Sequence, residues 1–217
     1  MKRKFEHMTV STKTLDFWFE YASPYCYPAV MRVEQLAQQA GVTINWRVFL
    51  LGAVFQQYGW QTTPDQMFPA KGNYMWLDMQ RICASLGLAY QKPSVFPRNG
   101  LLAARISANF ADAKWMGEFI RQVFQANFAN DQDISDRQRI TGFLQELGHD
   151  SASIIAVANS DEGKLALKNQ TAQALQQHVF GAPFMMVGDE PFWGNDRLEQ
   201  AIYFAAHGRL PGQIQYG

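Results

Sequence analysis

Ser23-Pro24-Tyr25-Cys26 places a hydroxyl and a thiol three positions apart, directly after a run of aromatic residues. A helix beginning here would offer unpaired backbone N–H groups and the positive end of its dipole, which favour an anion such as a thiolate. Ser23 could then donate a hydrogen bond to a bound sulfur anion. The same residues also fit an ordinary helix start, with a serine N-cap and a proline in the first turn. Three further segments carry candidate chemistry. In Val179-Phe180-Gly181-Ala182-Pro183, a cis bond at Pro183 would free the N–H and C=O of Ala182 for an extended peptide ligand. The plainer reading is a proline on the first residue of a strand. Trp193-Gly194-Asn195-Asp196 could hold an amino-acid head group at a helix start, with its ammonium on Asp196, or could simply cap that helix. Lys71, in Pro69-Ala70-Lys71-Gly72, could anchor a carboxylate, although lysines are usually solvated surface charges.

The elements that must position these groups follow from periodicity. Leu15–Phe19 reads as a strand. Tyr27, Val30, Val33, Leu36, Ala37 and Ala40 recur at helical spacing, and Gly41 stands where that helix should stop. Thr43–Phe49 reads as a second strand, which completes a strand–helix–strand unit. Residues 51–72, with Pro64, Pro69 and Gly72, read as irregular. From 73 to about 178 the periods are helical: Met75, Met79, Ile82, Cys83 and Leu86 form one stripe, and Trp115, Phe119, Val123 and Phe124 another. Helical patterns continue through 137–147, 151–158 and 162–178. Phe184–Val187 and Glu190–Trp193 then read as a hairpin turning at Gly188-Asp189. A last helix follows, with Leu198, Ile202 and Ala205 on one face and Asn195 or Asp196 as its N-cap. Periodicity alone therefore predicts an α/β frame carrying a helical block of about 100 residues.

Nineteen basic residues balance nineteen acidic ones over 217 residues, so no basic face for nucleic acid is expected. No window approaches the roughly 18 apolar residues of a membrane span. Residues 1–13 begin with a basic stretch, contain no apolar signal run, and are set aside from the fold as a leader. Only Cys26 and Cys83 are present, which suggests reduced thiols in the cytoplasm. They and the four histidines show no metal-ligand spacing, so no metal is expected.

Together Leu15–Pro28, Phe49–Val54, Pro69–Tyr74 and Val179–Leu198 closely resemble the 2-hydroxychromene-2-carboxylate isomerases. These are relatives of the kappa-class glutathione transferases within the DsbA-like thioredoxin superfamily. The resemblance runs in order through about residues 15–207, and VFGAPFMMVGDEPFWGNDRL is its most specific part. It implies an α/β, thioredoxin-like (DsbA-like) mixed sheet with a large all-α insertion. Residues 14–62 and 179–217 would be the two halves of the thioredoxin-like domain, and 63–178 the insertion. It implies glutathione as cofactor, Ser23 as the catalytic residue that favours the glutathione thiolate, and Tyr25 as its neighbour in the site. Ala182, beside Pro183, would pair with the cysteinyl backbone. Trp193, Gly194, Asn195 and Asp196 would cradle the γ-glutamyl end, and Lys71 would contact the glycyl end. The implied reaction is reversible addition of the thiolate to an enone acid, with rotation about the former double bond. A homodimer is implied as well. Transfer of glutathione to an electrophile, disulfide exchange through Cys26, and glutathione binding without turnover are the alternatives. In thioredoxin-like oxidases two cysteines are separated by two residues; Ser23 replaces the first, so no intramolecular dithiol cycle is expected at this site. Phe55 and Trp60 stand where relatives carry a basic residue and an asparagine, which makes the expected substrate pocket more aromatic.

Overall fold

The computed structural model describes residues 13–60 and 62–212. The leader through residue 12, Gln61 and the last five residues of the expected second half-domain lie outside the described residues. In chain order the elements are β1 (Thr14–Phe19), α1 (Cys26–Ala40), β2 (Thr43–Val48), α2 (Leu51–Gln57), α3 (Pro64–Met67), α4 (Pro69–Leu86), α5 (Leu101–Asn109), α6 (Met116–Phe128), α7 (Arg137–Glu146), α8 (Ser151–Asn159), α9 (Asp161–Gln176), β3 (Phe184–Val187), β4 (Glu190–Trp193) and α10 (Leu198–His207). A single 3-10 turn, Asn195–Arg197, links β4 to α10.

The sheet has the order β2-β1-β3-β4. β1 runs parallel to β2 and antiparallel to β3, and β3 runs antiparallel to β4. Side chains alternate across a strand, and β1 uses both faces. Leu15, Phe17 and Phe19 join the main core with Val30 and Val33 of α1, Phe124 of α6 and Leu198 of α10. Trp18 points the other way, into a smaller cluster with Phe49, Val54 of α2, Ala174 of α9 and Phe184. Helices on both faces explain why β1 ends in the continuous aromatic run Phe17-Trp18-Phe19 rather than a polar–apolar alternation. The core also crosses from the sheet into the helical block: Phe19 and Tyr21 lie 6.2 and 5.2 Å from the Phe124 ring. Each such buried aromatic removes surface worth about 1.5–3 kcal/mol from water.

Three expectations need correction. Residues 51–72 are not irregular: they hold α2, α3 and the start of α4. Pro64 and Pro69 occupy first-turn positions of α3 and α4, where a missing N–H leaves no helical bond unmade. Conversely, 87–100 breaks the helical run, with a cis Phe96–Pro97 bond and Gly87 ending α4 in the left-handed conformation. The N-cap position of α10 belongs to Arg197, without a side-chain cap, because the 3-10 turn takes up Asn195 and Asp196 first. Within the predicted α4 stripe, Met79 and Cys83 are fully buried, whereas Leu86 is exposed.

Candidate active site

The loop between β1 and α1 is tied twice at Glu20. The Ser23 N–H donates to the Glu20 carbonyl at 3.0 Å. The Ala22 N–H donates to the Glu20 side-chain carboxylate at 2.9 Å. The chain then enters α1 through Cys26 N–H to Ser23 C=O and Tyr27 N–H to Pro24 C=O, at 3.2 and 3.0 Å. Tyr25, not Ser23, takes the N-cap position, and no side chain caps the helix. The Ser23 hydroxyl is therefore not used as a cap. It is buried and donates instead to the Ala182 carbonyl, 2.8 Å away and 159 positions along the chain.

Ala182–Pro183 is a cis bond. Among the described residues the Ala182 N–H makes no hydrogen bond, while the Pro183 carbonyl accepts from the Gly194 N–H at 3.0 Å. That contact, together with the β3–β4 pairing of Phe184 with Trp193, brings the 193–196 loop beside Pro183. Gly194 has φ 104 and ψ 156, a conformation closed to other residues, and the Asp196 carboxylate folds into the space a Cβ would take. Asp196 is otherwise largely exposed, 3.3 Å from the Arg197 guanidinium. Trp193 is also exposed, its indole lying against Gly181, where any Cβ would collide with it. Asn195 is buried, and its side-chain oxygen accepts from Arg32 at 2.8 Å. The structure thus joins Ser23, Ala182, Pro183 and the 193–196 loop.

The Tyr25 hydroxyl donates to Asp78 of α4 at 3.0 Å. Burial, that bond and the charges of Asp78 and Asp196 hold the phenol protonated well above its ordinary range. Lys71 is exposed at the start of α4, its ammonium 4.7 Å from the Phe68 ring centroid. It lies two turns before Asp78, about 10 Å along the axis, on the helix face that meets Tyr25. No contact joins Lys71 directly to Ser23.

Two titratable groups sit beside Ser23. The Cys26 thiol is fully buried, and burial pushes it up to about 12. Cys26 and Cys83 are both unpaired thiols. The Glu20 carboxyl is raised from 4.5 to about 7, chiefly by burial and against the pull of the Ala22 and Ser23 N–H groups. The sequence reading missed Glu20, Arg32 and Asp78. Glu20 carried the best signal, as the single charge between an aromatic strand and the Ser23 turn. Arg32 and Asp78 matter through partners 163 and 53 positions away, which no local pattern reveals. Among the described residues no cluster of His, Cys, Asp and Glu could hold a metal ion, and no helix is long and apolar enough to cross a membrane.

The family model of the DSBA-like thioredoxin domain matches residues 14–204. A 2-hydroxychromene-2-carboxylate isomerase of Pseudomonas putida is 31% identical over 201 residues, 90% of this chain and 95% of that protein. Glutathione S-transferase kappa 1 of Caenorhabditis elegans is 26% identical over 199 residues, covering 85% and 87% of the two chains. Among solved structures, a 2-hydroxychromene-2-carboxylate isomerase superposes with a TM-score of 0.75 at 27% identity, over 85% of this chain and 90% of that one.

Proposed function

The chain belongs to the DSBA-like thioredoxin domain family and, within it, to the 2-hydroxychromene-2-carboxylate isomerases, and from that premise we propose that it is a glutathione-dependent cis–trans isomerase. Its substrate would be 2-hydroxychromene-2-carboxylate or a similar enone acid. One observation carries the reading: the buried Ser23 hydroxyl lies 2.8 Å from the Ala182 carbonyl, where α1 begins.

The residues present fit glutathione. The Ala182 N–H is unpaired among the described residues, Ser23 offers a hydroxyl, and Asp196 offers an exposed carboxylate. When bound, glutathione supplies a sulfur nucleophile. The chain's part is to hold and orient. Ser23 would turn its hydroxyl from Ala182 toward the sulfur and steady the anion there, with the N-terminal end of α1 adding positive potential. Each unit by which the thiol pKa falls from about 8.5 reflects roughly 1.4 kcal/mol of such stabilisation. Ala182 would pair with the cysteinyl backbone. Trp193, Gly194 and the backbone of Asn195 would line the γ-glutamyl end, whose ammonium Asp196 would receive. Lys71, on the α4 face that meets Tyr25, would face the glycyl carboxylate. Phe55 and Trp60, whose rings pack 5.2 Å apart, would offer an aromatic wall to the substrate.

The test is Ser23→Ala. Turnover of the enone acid should fall about 100-fold, or roughly 3 kcal/mol of barrier, while glutathione affinity measured by calorimetry changes little. Undiminished turnover would remove Ser23 from this role. Kappa-type conjugation is the second reading, favoured by the kappa-class relative. Product mass separates the two: an isomer of the substrate, or the substrate plus glutathione. The buried, high-pKa Cys26 thiol weighs against disulfide exchange. We extend the proposal to a homodimer in the cytoplasm, for which exposed Phe68, Tyr74 and Leu77 at and along α4 offer apolar surface. Sedimentation at micromolar concentration checks the assembly.

A further inference from the structure

Arg32 projects from α1 toward the 3-10 turn and α10, and all three of its nitrogens are engaged. Its Nε donates to the Pro28 carbonyl of its own helix at 3.1 Å. One terminal nitrogen donates to the Asn195 side-chain oxygen at 2.8 Å. The other pairs with the Glu199 carboxylate on α10. A guanidinium held at three points is a rigid fork, because its planar donors fit several acceptors at once. Its side chain is only 19% exposed, so these bonds are partly shielded from water.

Asn195 is the buried residue of the 193–196 loop, and its side-chain oxygen faces Arg32. Directly beside it, Asp196 is exposed and folds over Gly194. The loop is therefore fastened on one side to Pro183, through the Gly194 N–H, and on the other to α1, through Arg32. α1 is also the helix whose first turn follows Ser23. Arg32 thus connects the element that begins at Ser23 with the loop that carries Asp196. Their relative placement sets the span an extended ligand must cover between sulfur and ammonium.

We infer that Arg32 is a positioning residue that holds the Asn195–Asp196 segment at the distance from Ser23 required by the γ-glutamyl end of the thiol ligand. The inference rests on the glutathione reading above. Arg32 acts through Asn195 and makes no contact of its own with the reacting atoms. Its loss should weaken glutathione binding and leave the chemistry at the sulfur alone.

The experiment is calorimetric titration of the full chain with glutathione, using Arg32→Met, Arg32→Lys, Asn195→Leu and the double variant Arg32→Met/Asn195→Leu. Arg32→Lys keeps the charge facing Glu199 but not the fork, which guards against misreading a simple folding defect. Each single variant should raise Kd about tenfold. The double variant should lose no more than either single one, because both break the same tether. The pH at which bound glutathione ionises, read from thiolate ultraviolet absorbance, should not move. In the two single Arg32 variants the turnover number at saturating glutathione should stay within about twofold. Unchanged affinity in Arg32→Met and Arg32→Lys would overturn the inference, as would an additive, roughly hundredfold loss in the double variant or a shifted ionisation. If the parent chain itself binds no glutathione, the functional reading falls first, and that outcome is visible before any variant is made.

Discussion

Arg32 and Arg98 each gather several acceptors, yet the two clusters differ in burial and in what they hold. Arg98 is 5% exposed at its side chain. It donates to the Asn127 backbone and side chain, both at 3.2 Å, to Ser94, and to Asp131. Asn127 in turn donates to the Tyr21 carbonyl at 3.0 Å. This network lies under the turn that presents Ser23. The Arg32 cluster lies nearer solvent and fastens the loop proposed to hold the ligand. A buried cation has no water to fall back on, so its partners are needed for folding. Arg32, 19% exposed, keeps some access to water, so its loss costs less and its geometry is free to serve binding. The comparison predicts that Arg98 variants fail in stability while Arg32 variants fail in affinity.

The strongest test of that contrast is Arg98→Ala. Leaving Asn127 and its neighbours without their buried donor should cost about 3–5 kcal/mol, or roughly 6–20 °C in Tm for a chain of this size. A loss under about 1 kcal/mol by calorimetry would erase the distinction. Next comes Glu20, whose carboxyl is raised to about 7 in the folded protein from an ordinary 4.5. The folded state holds this proton more tightly than the unfolded one. Below 4.5 the group is protonated in both, and nothing is lost. As pH rises from 4.5 through 7 the unfolded chain ionises first, so stability falls, and above 7 the loss is complete. Glu20→Gln, which keeps an acceptor for the Ala22 N–H, should therefore be more stable than the parent at pH 8 by about 1–3 kcal/mol. The difference should vanish near pH 4, and a difference independent of pH would refute the account. Smallest is Lys164→Ala, which removes an exposed pair with Asp161 at 3.0 Å. It should shift stability by less than about 0.5 kcal/mol, and it calibrates what an arginine cluster adds beyond charge pairing.

The fold was largely legible in the sequence where patterns are local. β1, α1 with its stop at Gly41, β2 and the β3–β4 hairpin appear within a residue or two of expectation. Residues 51–72 were misread because proline breaks a helix interior yet suits a first turn, and only the neighbouring chain shows which applies. The 195–197 turn was misread for a related reason. Asn and Asp are good caps in general, but Asn195 is drawn to Arg32 and so leaves the α10 cap to Arg197.

From the sequence alone came Ser23, Ala182, Pro183 and the 193–196 loop as candidates, because motifs and family resemblance survive without coordinates. Tertiary structure decided their contacts: that the Ser23 hydroxyl meets Ala182, that the Glu20 carboxylate receives the Ala22 N–H, and that Arg32 closes on Asn195. Hydrogen-bond direction and desolvation depend on which distant atoms arrive within a few ångströms, and one-dimensional spacing does not encode that.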